Sequence, residues 1–577
     1  MKKEFRLKGS EKLLGMIRAF SATEKVVFGF LTIIALISAL IMAWKVNKSF
    51  LVPMPSHGGS FSEAIIGLPR SINPVLAFTD VDKDLSMLIF SGLMKYEDGE
   101  LVGDLAKEYS ISEDGLVYSF VLKDNLRFHD GTPLTTDDIE FTIQKVQDDA
   151  LKSPRRADWA SVTVKKISAA EIQFILKQPY APFLSNTTLG IIPKHIWKNL
   201  DADQFIFSQY NIEPIGSGPY EIDSIGRNSS SVPEYYVLDT FNRYHNEKPY
   251  ISAITVHFYP NEMEALDAYN AGIIDNFAGI SPQEALRIAS SSLESSILHT
   301  PLPRIFGVFF NQNNAPVLAN KEVRQALDMA LDKERIVMEV LHGYGISIDS
   351  PIPFGMVQAT STLKAGNKDA AKALLAKAGW LINAEGILAK KTATASQVLE
   401  FSIATTDAPD LKKTAEIIKE EWEDLGARVT IKVFEYGDLS QNIIKTRKYD
   451  ALLFGEVVGK DLDLFAFWHS SQRNSPGLNL SMYVNSKVDA LLENARVTAD
   501  EEVRATSYKS FEKTIRDEVP AVFLYSPKYM YVVSTKIKGI GLRSITSSSD
   551  RWYGIDKWYI ATDYVWKIFV KDQEKNY

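Results

Sequence analysis

The chain contains no cysteine among its 577 residues. That excludes disulfides, thiolate metal sites and thiol catalysis, and also lipid attachment at a processed N-terminal cysteine. Histidine is sparse. The eight, at positions 57, 129, 195, 245, 257, 299, 342 and 469, include no pair at metal-ligand spacing on a helix. G-x-S-x-G, H-E-x-x-H and G-x-x-x-x-G-K-[ST] are all missing. No nucleophile elbow, zinc-protease helix or phosphate loop is therefore encoded, and the chain reads as a non-enzyme without metal or cofactor. Asp461 and Asp463 are closely spaced carboxylates, for which a surface loop or a helix cap is the simpler explanation. There is no short-period repeat and no low-complexity tract; the serine-rich run 290–296 is brief.

Charge is missing altogether from residues 26–44, VVFGFLTIIALISALIMAW. Nineteen such residues suffice for a hydrocarbon core about 30 Å thick. Seven Lys/Arg and three Asp/Glu precede the run, a basic flank expected to stay cytoplasmic with the remainder outside the cell. A cleavable signal peptide is the rival reading. Against it, the preceding segment is long, and Ala43 is followed by Trp44, Lys45 and Val46 rather than by a small-residue cleavage pattern. The run is accordingly expected to be an uncleaved single-pass anchor. Of the 64 basic and 72 acidic residues in the whole chain, those beyond position 25 carry a net charge of −12. So acidic a body has no electrostatic footprint for nucleic acid. Its length calls for two or three domains.

The most informative segment is 119–143, SFVLKDNLRFHDGTPLTTDDIEFTI. Tyr118, Phe120 and Leu122 alternate as a strand. His129-Asp130-Gly131-Thr132-Pro133 makes a tight turn, with His129 expected to hold it by hydrogen bonds. Thr135 and Asp138 form a capping box before a helix with Ile139, Ile143 and Val146 on one face. The wording FxLxxxxxFHDGxPLTxxDxxFT resembles the signature of the family 5 bacterial extracellular solute-binding proteins, receptors of dipeptide and oligopeptide ABC importers. Further likenesses occur in order along the chain: LAKEYSISEDGLVYSFVL, PIGSGPY at 214–220, NRYH with KPYI at 242–251, VRQALDMALD at 323–332, and DAAKALLAKAGW at 369–380. Together they cover about residues 61–560. Elsewhere the reading is plainly α/β: an apolar helix face at Ala415, Ile418, Trp422 and Leu425, a strand at Val429, Ile431 and Val433, and a helix over about 500–519 closed by Pro520.

The resemblance implies an α/β, two-lobe periplasmic-binding-protein-like fold of type II with an extra subdomain, preceded by one transmembrane helix. Expected boundaries are a cytoplasmic segment 1–25, an anchor 26–44 and a linker 45–60. Lobe I is expected at 61–305 and 535–565, with an inserted subdomain at about 97–205. Lobe II with hinge strands is expected at 306–534, and a tail at 566–577. A short helix is expected from Asp84 to Tyr96. Hinge crossings are expected near 305–311 and 522–533, with Phe309, Asn311, Leu524 and Tyr525 as the hinge residues. The implied role is capture of peptides or peptide-like solutes by lobe closure, as a monomer, for delivery to ABC permease subunits. The alternative is the same fold as a surface sensor of a non-peptide solute, such as a chelated metal or sugar. Backbone contacts to ligand are implied at Thr79, Asp80 and Val81 and at Gly455, Glu456, Val457 and Val458, with Asn479 and Leu480 nearby. Where peptide-binding members carry a carboxylate for the ligand's amine, this sequence has Val458. Glu456, two residues earlier and on the same strand face, is the candidate substitute. Leu462 stands where the family has proline.

Overall fold

The computed structural model describes residues 15–17, 19–289, 295–356, 366–391, 396–498, 500–543 and 545–569. Most of the basic N-terminal segment, most of the serine run and most of the final tail lie outside the described residues. The chain divides into two units, Met1–His57 with Tyr559–Tyr577, and Gly58–Trp558.

In the first unit a helix spans Ala22–Phe50. It opens on a capping box: Ser21 Oγ accepts the Glu24 N–H, and the Glu24 carboxylate accepts the Ser21 N–H at 2.8 Å. Its 29 residues extend about 43 Å, and none of the described ones is buried. It is long and apolar enough to cross a membrane. The segment expected to be an irregular linker is ordered instead. The helix continues to Phe50, and Leu51–Pro55 pairs antiparallel with Thr562–Trp566. Trp566 stacks on Phe50 at 6.0 Å and donates from Nε1 to Asn47 Oδ1. Residues 562–566 thus belong here rather than to the first lobe. The ordering partner lies about 500 positions away, beyond the reach of any local pattern.

The second unit is organised by one long strand, Ala521–Ser534. Its first part pairs with Arg304–Phe310 and Gly345–Ser347, and its second part with Ser295–Pro301 and Asn276–Ala278. Beyond Arg304–Phe310 follow Ala451–Val457, Glu400–Thr406 and Arg428–Phe434. Beyond Asn276–Ala278 follow Ser60–Ile66, Ala253–Tyr259, Pro233–Thr240 and Tyr220–Arg227. The sheet therefore has two halves sharing a single strand. A separate four-stranded antiparallel sheet is built from Ala106–Ile111, Val117–Leu122, Glu171–Leu176 and Val162–Lys166.

The halves meet where the ladder changes partner. Pro301 pairs with Lys528, whereas Phe306 pairs with Tyr525. Between them Leu302 and Pro303 run beside Ser526 and Pro527. Neither proline has an N–H to donate. What remains is Leu302 N–H to Pro527 O at 2.9 Å and Ser526 Oγ to Leu302 O at 2.5 Å. Three of the residues expected at the crossings lie elsewhere. Phe309, Asn311 and Leu524 are buried within one half, and Asn311 is committed to a local turn through Asn313, Asn314 and Arg447 O. Tyr525 is the last residue before the change. An apolar extended run looks the same inside a sheet half as between halves; the prolines mark the boundary.

The signature motifs are structural fasteners. Thr135 and Asp138 form the expected box on the helix Thr136–Gln147. His129 N–H donates to Gly216 O at 2.8 Å, His129 Nδ1 accepts the Gly216 N–H, and Nε2 lies 3.2 Å from Gly218 O. Burial pushes this imidazole down to about 4, so it stays neutral. The glycine turn in turn abuts the helix Asp80–Ile89, with Gly218 N–H donating to Ile89 O at 2.8 Å. A Cβ on Gly216 would lie 1.9 Å from that same carbonyl, so only glycine fits. The helix begins earlier than expected. Thr79 is its N-cap and boxes with Asp82, and Met94–Glu97 is already a strand.

At the centre lies Arg551, 1 % exposed. Its Nε meets Glu63 Oε1 at 3.0 Å and its Nη1 meets Asp84 Oδ1 at 2.7 Å. Tyr531 donates to the other Glu63 oxygen at 2.7 Å. Four chain segments are joined in this way: the strands at Glu63 and Tyr531, the helix at Asp84, and the turn at Arg551. Burial pushes the Glu63 carboxyl up to about 7 against the pull of the guanidinium. Replacing Arg551 with Met leaves two buried carboxyls unpaired, which should cost about 3–5 kcal/mol. Urea titration of the variant should show a correspondingly lower midpoint at unchanged slope; an unmoved midpoint would show that the network contributes no net stability.

Candidate functional site

A cavity of about 510 Å³ is lined by both halves of the sheet. Asp80, Asp84, Tyr529 and Arg551 come from one half, and Arg304, Phe306, Asp410 and Leu411 from the other. A larger concavity of about 1130 Å³ is lined by residues 325–333, 349, 367 and 506–523, all from the second half. A clamp needs walls on two bodies that move against each other, so the smaller cavity is the candidate site.

Its walls follow from local structure. Arg304 opens the strand Arg304–Phe310, whose alternate residues Ile305 and Phe309 enter one core while Val308 and Phe310 enter another. Arg304 and Phe306 share the face of the second set. Phe306 stacks on Tyr525 at 5.1 Å. Room for that ring exists because residue 455, directly across, is glycine: a Cβ there would come within 2.8 Å of the Phe306 ring. From the other half, the first two turns of Asp80–Ile89 bring Asp80 and Asp84 to the wall. The first-turn amides of a helix have no acceptor within it.

Two cationic donors lining the cavity lack acceptors among the described residues. Arg304 Nε and Arg551 Nη2 are buried atoms without a hydrogen-bond partner, and both residues line the cavity. Burial disfavours the Arg551 charge, but Asp84 and Glu63 outweigh it and hold the guanidinium protonated. Burial raises the Asp84 carboxyl against the same attraction. Asp410 adds an acidic group on the opposite wall. The site thus offers both signs of charge around an aromatic floor.

An open backbone edge lies beside it. Ala451–Val457 pairs with Arg304–Phe310 along its whole length, but with Glu400–Thr406 only at Ala451 and Leu452. At Leu453 only the Thr405 hydroxyl reaches across, donating to its carbonyl at 3.1 Å, and beyond it the outer edge has no strand partner among the described residues. Extended peptides are bound at such edges by main-chain hydrogen bonds.

The residues singled out from sequence fall into three groups. Thr79, Asp80, Gly455 and Val457 flank the cavity or the open edge, with Val457 about half exposed. Val81, Glu456 and Val458 have buried side chains, which leaves only their backbone for a guest, and the Val458 N–H is already given to Pro303 O at 2.8 Å. Asn479 and Leu480 are scaffolding. Asn479 Nδ2 donates to the carbonyls of Trp468, His469 and Tyr483, and Leu480 O accepts the Tyr449 hydroxyl. Sequence reasoning missed Arg304, Phe306, Asp410 and Arg551. A usable signal existed in two of them: a lone arginine opening the apolar run RIFGVFF, and another inside the aromatic run RWYG.

Glu456 faces away from the cavity, into the core formed by Leu452, Leu464, Trp468 and Tyr483. Its Oε1 has no hydrogen-bond partner among the described residues. Burial alone pushes its carboxyl well above the ordinary range, so the folded protein holds it protonated while the unfolded chain ionises it. Folding therefore takes up a proton. The associated stability is full below the ordinary carboxyl range and is lost as pH rises towards the folded-state value. Glu456→Gln should remove this dependence, so that its melting temperature relative to the parent improves from about pH 5 to about pH 8. A difference that stays constant over that range would contradict a buried protonated acid.

Comparison with known proteins agrees with this architecture. Residues 100–477 match the family described as bacterial extracellular solute-binding proteins, family 5 middle. The oligopeptide-binding protein AppA of Bacillus subtilis is 28 % identical over 520 residues, covering 88 % of this chain and 92 % of AppA. The nickel-binding periplasmic protein of Escherichia coli is 27 % identical over 502 residues, covering 82 % and 90 %. Among solved structures, AppA of Bacillus subtilis in complex with a nonapeptide superposes with a TM-score of 0.66 at 26 % identity, covering 88 % of this chain and 100 % of that one. The substrate-binding protein CtaP of Listeria monocytogenes gives 0.73 at 26 % identity, with the same coverage. A cavity walled by both halves of an α/β sheet, in a chain that matches these receptors nearly end to end, makes this protein a member of the bacterial extracellular solute-binding proteins of family 5.

Proposed function

We propose that the protein is a membrane-anchored extracytoplasmic receptor that captures peptides or peptide-like solutes and delivers them to an ABC permease. The observation that carries this reading is the cavity shared by the two halves, with unpaired guanidinium donors beside an open strand edge. An extended peptide supplies what is missing there. Its backbone completes the edge of 453–457, and its carboxylate answers Arg304 and Arg551. Asp410 and Asp80 suit an ammonium group. The relatives named for oligopeptide binding support the reading.

In this proposal the halves are lobes, comprising about 58–301 with 528–558, and about 304–526. They hinge at 302–304 and 526–528. Two extended crossings that share few bonds with each other, although 525–527 still pairs with Gly345–Ser347, absorb rotation at low cost, and a guest contacting both lobes shifts the population towards closure. Anchoring by Ala22–Phe50 keeps the receptor at the surface where its permease lies. The chain's own residues do no chemistry on the guest.

The test is calorimetry of the full chain in nanodiscs with di-, tri- and nonapeptides. Binding should be saturable. Arg304→Gln should weaken peptides with a free C-terminal carboxylate at least about tenfold, the equivalent of one charge-assisted hydrogen bond, while leaving their C-terminal amides nearly unaffected. Binding of Ni(L-His) without any peptide binding would overturn the peptide reading, as would turnover of a bound peptide.

A further inference from the structure

Away from the cavity, the lobes meet again along the loop 458–464. Lys460, from the second lobe, is 12 % exposed at its side chain. Its ammonium lies 4.1 Å from the Tyr96 ring centroid and 4.0 Å from that of Tyr553. Asp550 Oδ2 is 3.3 Å away, at ion-pair distance. Tyr96, Asp550 and Tyr553 all belong to the first lobe. Two ring faces and a carboxylate around one nitrogen are the elements by which proteins recognise organic ammonium ions. Here the guest is the chain's own side chain.

The cage is built, not incidental. Tyr96 is fixed by a 2.7 Å hydrogen bond between its hydroxyl and Ser185 Oγ, and its ring packs edge-on against Tyr553 at 5.4 Å. Asp550 is fixed by the backbone N–H groups of Thr546 and Ser547 at 2.7 and 3.0 Å. It also neighbours Arg551, the residue that ties the first lobe together. The walls thus belong to the first lobe, with Asp461 of the second lobe beside Tyr96 and Ser185, whereas Lys460 comes from a loop. Burial opposes its charge, and Asp550 sustains it. Farther along the same seam, Asp463 accepts the Tyr180 hydroxyl at 3.2 Å and lies 3.1 Å from Arg496, and Ala181 N–H donates to Arg496 O.

We propose that Tyr96, Tyr553 and Asp550 form an ammonium-binding site which the chain fills with its own Lys460, latching the two lobes together when no guest is present. A small primary alkylammonium ion is the ligand class that the site accepts once Lys460 is removed. This rests on the two-lobe reading above, and the test is made without peptide so that the two fail separately.

Because the chain has no native cysteine, Lys165→Cys and Lys445→Cys place one dye on each lobe of the full chain in nanodiscs without side labelling. Lys460→Ala should shift the empty protein towards longer inter-dye distance, with the closed-to-open ratio falling about tenfold. Lys460→Met, which keeps the apolar stem between the rings, should open it as well. Propylammonium at millimolar concentration should restore closure in Lys460→Ala, and propanol should not. Distances unchanged in both variants would overturn the latch. So would opening in Lys460→Ala but not in Lys460→Met, which would assign the contact to packing rather than charge. Failure of propylammonium to restore closure would overturn the site. If peptide still closes the parent in any of these cases, the two-lobe reading survives.

Discussion

A guanidinium with almost no access to water sets the terms for the rest of the fold. Taking such a charge from water is costly unless its donors are met, and Arg551 has two carboxylates arranged to meet them. Those carboxylates sit on a strand and a helix that lie 488 and 467 residues before Arg551 in the chain. The charge requirement therefore fixes three elements relative to one another, and Tyr531 adds the long strand as a fourth. The same demand shapes the cavity. A guanidinium has five N–H bonds, and the protein satisfies those on Nε and Nη1 while leaving Nη2 without a partner. The residue that holds the first lobe together is thus also the one with an unspent donor in the cavity wall.

The long strand Ala521–Ser534 imposes a second constraint. Sharing one strand between two half-sheets gives each half a full hydrogen-bonded ladder, but only one continuous backbone connects them there. The second crossing, at 302–304, carries Pro303, and the long strand carries Pro527 at the matching point. Removing donors where the halves meet weakens the ladder locally without exposing apolar side chains. Strength within each half and compliance between them come from the same strand.

Much of the fold was legible in the sequence because its motifs are fasteners with fixed local chemistry. The His129 turn, the Thr135 box and the Gly216 turn each do what their residue types dictate: the two turns brace the end of the helix Asp80–Ile89, and the box opens the helix Thr136–Gln147. Site residues were less legible. Glu456 and Val458 do share a strand face, as alternation requires, but that face is core. Alternation fixes which residues go together and not which side they face. Arg304 owes its place in the cavity to its pairing with Val457, 153 positions later, and Arg551 owes its role to Glu63. The pairing of Leu51–Pro55 with Thr562–Trp566 was invisible for the same reason. Contacts of that separation leave no periodic trace in either partner.

The cavity and the lysine cage together bear on affinity. A receptor that is open when empty must use part of its guest's binding energy to close, and its apparent affinity falls by the fraction of molecules that are closed. An internal ammonium that already favours closure reduces that cost for every guest equally, because Lys460 touches none of the cavity residues named above. It therefore raises affinity without narrowing selectivity. The open strand edge has the same property, since main-chain hydrogen bonds are available to any extended peptide. On the proposed reading, selectivity is left to the few fixed charges, Arg304 and Arg551 against Asp80 and Asp410, which would discriminate by the ends of a guest and not by its side chains. The proposed receptor would then combine broad uptake with firm retention: closure and backbone would supply the strength, and the termini alone would be inspected.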